Sequence, residues 1–444
     1  MSPSTAATGS GTWFDEARFG MFVHWDPASQ RGWEVSWPMA GGVFSLPACQ
    51  AVSPAEYHAL AETFDPTAWD PVDLAARARA CGMGYVVFTT RHHSGFAMFD
   101  SARGGHGVRE HLGGRDLFGE LVQACRAEGL RIGVYYSLSD WHHPDYPPLT
   151  EAHRPYVLGL SPPLPDADQA NRFRHHLLDQ LGELLTNYGS IDVLWFDGQW
   201  ERAAQWWDVD AIAALARGLQ PQILINDRLP GHGDFQTLEQ FVPPTAPGGR
   251  WESCVTINDS WGWNPDDPHH RSAHELVRIL CETAGRGGNL LLNVSPRGDG
   301  SLPPEQIERL DAVAGWMTRH ARSIHGTAPG LEPWQFDGPS TRDGHRIHLF
   351  LIARPVESIT VRGVPIRQIR SATVMGTGRG LNFRTRTDVL GQLADSPLGE
   401  LTVEVPLSEL DELVTVVSLD LSDRPIEGQP ALARVDGSAS SAGR

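Results

Sequence analysis

The sequence predicts an α/β architecture: a (β/α)8-like TIM barrel with a C-terminal antiparallel β-sandwich. Three observations carry this reading. From about Trp13 to about His325, short β-branched or aromatic runs alternate with amphipathic helices, the pattern that builds parallel sheets through βαβ crossovers. Polar, charged and aromatic residues gather directly after those runs, where the rim of a barrel carries its chemistry. Beyond His325-Gly326-Thr327 the pattern changes to short alternating strands broken by Gly and Pro. At 444 residues the chain exceeds one ordinary core. Domains are therefore expected over 1–329 (barrel) and 330–422 (sandwich), with 423–444, rich in Ala, Ser and Gly, as a disordered tail.

In chain order, predicted barrel strands are Phe19–His24, Tyr85–Thr89, Arg131–Tyr136, Asp192–Phe196, Gln222–Asn226, Cys254–Ile257 and Asn289–Val294. An eighth is expected to hide in an irregular segment. Helices are predicted near Pro71–Cys81, Leu117–Glu128, Arg172–Tyr188, Val209–Leu219, His274–Ala284 and Pro304–His320. The third is clearest: Phe173, Leu177, Leu181, Leu184, Leu185 and Tyr188 recur at three- and four-residue steps and form one stripe. Sandwich strands are predicted at Arg346–Ile352, Ser358–Val361, Ser371–Val374 and Leu413–Leu419. A doubly wound sheet is disfavoured, because no Gly-rich phosphate turn opens a helix.

Composition excludes several functions. A formal charge of −18 repels phosphate backbones and anionic lipid, so neither nucleic acid nor membrane is an expected partner. Five cysteines (Cys49, Cys81, Cys125, Cys254, Cys281) lack disulfide-framework or zinc-type spacing, which fits a reducing compartment. The first ten residues have no basic and apolar leader pattern, and no apolar run is long enough to span a bilayer. A cytoplasmic location is expected. Fifteen tryptophans hint at sugar recognition, since the C–H face of a sugar ring stacks on an indole.

Asp197 ends the apolar run Val193-Leu194-Trp195-Phe196 and precedes Gly198. Such a carboxylate is a nucleophile, a general acid or base, or a helix cap. Hydrolysis of a glycoside with retention needs a second carboxyl group about 5–5.5 Å away. Glu252 is the best candidate, in a segment holding Trp251, Trp261 and Trp263; Glu34 and Glu239 are rivals. His92-His93 offer metal ligands, sugar hydrogen bonds or wall contacts. Adjacent histidines on extended chain point to opposite sides and no HExxH occurs, so no metal and no cofactor are expected.

Taken together, several segments resemble the α-L-fucosidases of glycoside hydrolase family 29. They are Phe19-Gly20-Met21-Phe22-Val23-His24-Trp25, Thr90-Arg91-His92-His93-Ser94-Gly95-Phe96, Gly133-Val134-Tyr135-Tyr136-Ser137, Leu194-Trp195-Phe196-Asp197-Gly198, Asn226-Asp227-Arg228, Trp251-Glu252 to Trp261-Gly262, and Gly287 to Pro296. The resemblance implies a barrel with a β-sandwich and retaining double displacement at a terminal α-L-fucosyl residue of a glycan. It implies Asp197 as nucleophile and Glu252 as acid/base, with His24, His92, His93, Trp195 and Arg228, together with Trp37 and Tyr136, binding the sugar. A second copy of the chain is an open alternative as a further partner. The chain departs from the family pattern where Asp26 replaces Gly after His-Trp, Arg91 replaces Lys, Ser94 replaces Asp, and Ser36 replaces an acid before Trp37. These changes bear on substrate scope, and an L-galactoside of the same ring configuration is a conceivable substrate. A sugar-binding relative without turnover and a metal-dependent hydrolase are the competing function classes.

Overall fold

The computed structural model describes residues 12–42, 51–103, 105–150, 165–393 and 398–422. The chain divides into two compact units, 1–329 and 330–444. The expected tail, 423–444, and Cys49 lie outside the described residues.

In the first unit, eight strands form one curled parallel sheet: β1 (Phe19–Val23), β2 (Tyr85–Arg91), β3 (Arg131–Ser137), β4 (Val193–Asp197), β5 (Leu224–Ile225), β6 (Gln236–Glu239), β7 (Trp251–Thr256) and β8 (Asn289–Val294). Their order is β5-β4-β3-β2-β1-β8-β7-β6, so sequence neighbours are spatial neighbours all the way round. The ends of this order meet at a thin seam. Asn226 and Phe235 form a single parallel bridge, and Asp234 N–H donates to the Ile225 carbonyl at 2.7 Å. Side chains do the rest: Asp234 accepts from Ile225 N–H (2.8 Å), Asp227 from Thr237 N–H (3.1 Å), and Asn226 exchanges two bonds with the Phe196 backbone.

Among the described residues, six helices of ten residues or more lie between or after the strands: α1 (Pro71–Ala80), α2 (Leu117–Ala127), α3 (Ala167–Asn187), α4 (Val209–Leu219), α5 (Ala273–Gly285) and α6 (Pro304–His320). Side-chain caps start five of them, Asp70, Asp116, Asp166, Asp208 and Ser272, each accepting from an orphan backbone N–H. No helix separates β5 from β6 or β6 from β7. That is why the eighth strand is hard to see in sequence: β6 has four residues, none fully buried, and no amphipathic partner announces it. No helix among the described residues is long and apolar enough to cross a membrane.

Strand alternation sends one set of side chains into the barrel and the other toward the helices. Phe22, Tyr85, Val87, Tyr135, Val193, Trp195, Cys254 and Leu291 share one interior cluster. Tyr136, of opposite parity to Tyr135, donates instead to Gln180 on α3 at 2.8 Å. The seventh strand starts at Trp251, earlier than predicted, which makes Glu252 its second residue.

In the second unit, strands Ile369–Val374, Thr415–Leu421, Arg346–Leu351 and Ser340–Asp343 pair antiparallel in one sheet, and Ser358–Pro365, Leu398–Glu404 and Phe383–Arg386 in another. Leu349, Val417 and Leu419 from the first sheet and Val361, Leu401 and Val403 from the second occupy one core, a sandwich.

Candidate active site

A cavity of about 520 Å³ opens at the C-terminal ends of the barrel strands. Its interior is Phe22, His24, Tyr135 and Trp195; toward the mouth stand Glu34, Trp37, Trp200, Arg228, Glu239 and Trp261. His92 and Asp197 also line it, with Gln199, Asp227, Thr237, Gln240 and Asp259. The size suits a small ligand with a few fixed polar groups.

Asp197 is the last residue of β4. Tyr135 O–H donates to its Oδ2 at 2.8 Å and Arg228 to its Oδ1 at 2.5 Å. Side chains hold both oxygens, so a helix cap does not describe this carboxylate. Arg228 also donates to Glu239 at 2.8 Å and lies over the Trp195 ring at 4.9 Å. One guanidinium thus joins the ends of β4 and β6. Burial would lower the Arg228 pKa, but Asp197 and Glu239 outweigh it and raise it. Gly198 follows with φ of 74°, a conformation that favours glycine, and a Cβ there would come within 2.5 Å of Ser139 Oγ. The chain can leave the rim at this point without displacing the Ser139–His93 contact.

The hydrogen-bond network assigns the tautomer of one of the two cavity imidazoles. Asn293 donates its amide N–H to the Trp261 carbonyl at 2.8 Å, which turns Oδ1 toward His24 Nδ1 at 2.7 Å. His24 therefore carries its proton on Nδ1 and keeps a lone pair on Nε2. Ser36 Oγ accepts from Ser94 N–H and is hydrogen-bonded to His92 Nδ1 at 2.7 Å. Burial holds His24 down to about 4 and His92 well below the ordinary value. Two neutral rings side by side suit a hydroxyl group, which both donates and accepts.

The departures from the family pattern form a connected set. Asp26 accepts from Tyr57 O–H at 2.9 Å and from Ser94 O–H at 3.3 Å, while Ser94 N–H and His92 meet on Ser36. A carboxylate at position 26 thus accepts from the serine that stands at position 94. Arg91, in place of Lys, donates to Asp140 (3.1 Å), Gln180 (2.9 Å) and the Ser137 carbonyl (2.6 Å) behind the cavity.

Of the residues singled out from sequence, Asp197, His24, Trp37, His92, Trp195 and Arg228 come together in the cavity. His93 stands behind the lining, its Nε2 3.8 Å from Asp197 Oδ2 and its Nδ1 2.9 Å from Ser139 Oγ. Two expectations need correction. Tyr136 faces α3, and its neighbour Tyr135 faces the cavity, because adjacent strand residues point to opposite faces. Glu252 is fully buried at the N-terminal end of β7, below the cavity, where Tyr85 O–H donates to it and Trp195 Nε1–H donates at 3.1 Å. A residue near the start of a strand lies at the end of the barrel opposite the reactive rim. Burial raises its pKa to about 7, but this reflects a core position. The rivals Glu34 and Glu239 both reach the cavity. Sequence reading missed Tyr135, Phe22 and Trp200; inward parity from Asp197 and Trp195 was the signal for Tyr135.

His92, His93 and Asp197 each present a ligand atom within 4.8 Å of the others, but Arg228 already supplies a cation to Asp197.

A parallel barrel whose rim gathers carboxylates, neutral imidazoles and the indoles of Trp37, Trp195, Trp200 and Trp261 has the build of a glycoside hydrolase. Comparison with known proteins narrows the class. The alpha-L-fucosidase family profile matches residues 2–322. Tissue alpha-L-fucosidase of Mus musculus is 30% identical over 344 residues, 72% of each chain. The solved structure of alpha-L-fucosidase isoenzyme 1 from Paenibacillus thiaminolyticus superposes with a TM-score of 0.80 at 33% identity, covering 93% of this chain and 99% of that one. That of Thermotoga maritima alpha-fucosidase with a mechanism-based inhibitor gives a TM-score of 0.73 at 28% identity, covering 92% and 96%. The chain belongs to the α-L-fucosidase family, glycoside hydrolase family 29, and is a glycoside hydrolase.

Proposed function

We propose that the protein is a retaining, exo-acting α-L-fucosidase, with Asp197 as nucleophile and Glu239 as acid/base. The observation that carries this is Arg228, whose two nitrogens bind Asp197 and Glu239 and so hold two carboxylates beside one cavity. In the first step Asp197 attacks the anomeric carbon while Glu239 gives its proton to the departing glycosidic oxygen. In the second, Glu239 takes a proton from water, and the water oxygen displaces Asp197.

Glu239 suits this task better than Glu34. Its side chain is 42% exposed at the mouth, where an aglycone leaves and water arrives. Glu34 is buried, and its two oxygens accept from Trp261 N–H (2.7 Å) and Gly262 N–H (3.0 Å), which fixes the loop carrying Trp261. Exo action is supported by the blind inner end: beneath Trp195 lie Glu252 and Tyr85, so the cavity takes a chain terminus. The apolar surfaces of Phe22, Trp195 and Trp261 suit the methyl group of fucose.

The test is chemical rescue of Asp197→Gly. Turnover of an aryl α-L-fucoside should fall by at least about 10³-fold and return with azide as a fucosyl azide of inverted configuration. Near-normal turnover without azide would exclude Asp197 as nucleophile.

A further inference from the structure

Three histidines outside the cavity converge from separate stretches of chain. His58 ends the short helix Pro54–His58, His106 lies between β2 and α2, and His142 follows β3. The His106 and His142 rings are 3.9 Å apart, and His58 lies 4.7 Å from His142 and 5.2 Å from His106 between ring centres. One nitrogen from each falls within 4.8 Å of the others. None of the three lines the sugar cavity.

A second observation separates this cluster from ordinary aromatic packing. Both ring nitrogens of His58 are shielded from solvent and have no hydrogen-bond partner among the described residues. A buried imidazole normally has at least one of its nitrogens satisfied, because an unmet buried polar atom carries the cost of its desolvation. A cation bound through the lone pair satisfies one of the two.

We propose that His58, His106 and His142 bind one divalent transition-metal ion of the zinc class. Three imidazoles without a carboxylate favour Zn²⁺, Co²⁺, Ni²⁺ or Cu²⁺ over Ca²⁺ or Mg²⁺, which require oxygen ligands. Water completes a tetrahedral shell. Around Zn²⁺ the nitrogens sit about 2.0–2.1 Å from the metal, closer together than they now stand. His142, the exposed member, turns out of its stack to close the set. Its backbone stays anchored, because Asp140 accepts from His142 N–H at 3.0 Å. The ion clasps three rim segments: the first near Tyr57 and Asp26, the third beside Trp141, whose indole donates to Glu201 at 3.0 Å. It is a structural site, apart from the fucosidase chemistry.

The full chain without an affinity tag is stripped with a chelator, freed of it, and titrated with Zn²⁺ by calorimetry and with Co²⁺ by visible absorption. The same titrations are run on His142→Gln, which alters an exposed side chain, and on His58→Ala. One equivalent of metal, a tetrahedral Co²⁺ spectrum and a metal-dependent rise in melting temperature are expected for the parent. In both variants the affinity should fall at least about 100-fold with aryl-fucoside turnover retained. Absence of a cobalt spectrum in the parent overturns the proposal. So does metal that binds both variants as tightly as the parent, for it then sits on His92, His93 and Asp197 or on Asp259, Asp267 and His269.

Discussion

Trp195 lines the cavity with its ring and donates its indole N–H downward to Glu252 at 3.1 Å. A ring that lines the cavity is thereby pinned to a carboxyl group in the barrel core, and Tyr85 pins that group from below. Glu252 is a positioning residue in this arrangement.

Glu252→Ala should leave the Tyr85 O–H and the Trp195 N–H unpaired in the core and destabilise the fold by roughly 2–4 kcal/mol. Glu252→Gln should recover most of the melting temperature. Any loss of turnover should be the same for a nitrophenyl fucoside and a natural disaccharide. A defect confined to the disaccharide would return the proton-donor role to Glu252.

Glu239→Ala should show that selective defect. Without its acid the enzyme expels the aglycone unaided, so the disaccharide loses about 10²–10⁴-fold while an activated aryl fucoside loses much less. The basic limb of the kcat/KM profile should flatten. Should Glu34→Ala give this pattern while Glu239→Ala slows both substrates equally, Glu34 is the acid.

The two adjacent tyrosines should separate cleanly. Tyr135→Phe removes a hydrogen bond to Asp197, the proposed nucleophile, and should lower kcat/KM by about 10–100-fold, as expected for a bond to a charged group of about 1.5–3 kcal/mol. Tyr136→Phe removes only the contact with Gln180 and should shift the melting temperature with kcat/KM nearly unchanged. Equal kinetic losses would contradict the parity assigned to β3.

Burial raises Glu34 to about 8 and Glu252 to about 7, whereas in the unfolded chain each titrates near 4.5. Between 4.5 and those values the folded protein keeps protons that the unfolded chain has lost. Their contribution to stability is therefore complete below 4.5 and disappears as pH rises through 7 and 8, at up to about 1.4 kcal/mol per pH unit for each proton. Melting temperature should fall from pH 6.5 to 8.5, and less steeply in Glu34→Gln. Identical slopes in parent and variant would refute the assignment.

Much of this was legible in the sequence. The apolar runs ending in His24, Asp197 and Arg228 marked the rim, because strands buried on both faces read as continuous hydrophobic stretches. What escaped detection has physical causes. β6 is short and half-exposed, so the sequence offers Glu239 only as a rival to Glu252. Glu252 was attractive for its indole neighbours, yet its place at the head of a strand puts it at the far end of the barrel. Tyr135 and Tyr136 differ only in parity, which is fixed once the inward residue of an adjoining strand is known. The three-histidine cluster has no spacing motif at all, since only the fold brings residues 58, 106 and 142 into contact.

The seam between β5 and β6 gives the Arg228 bridge a second meaning. Where the other strands are laced by ladders of backbone bonds, this joint has one bridge and the side chains of Asn226, Asp227 and Asp234. Asp197 lies on one side of it, Glu239 on the other, and Arg228 spans the gap. Asp197 and Glu239 are therefore also the clasp of a slit cylinder, and the joint should breathe more readily than the opposite wall, exposing its amides to exchange while β1 and β8 stay shut.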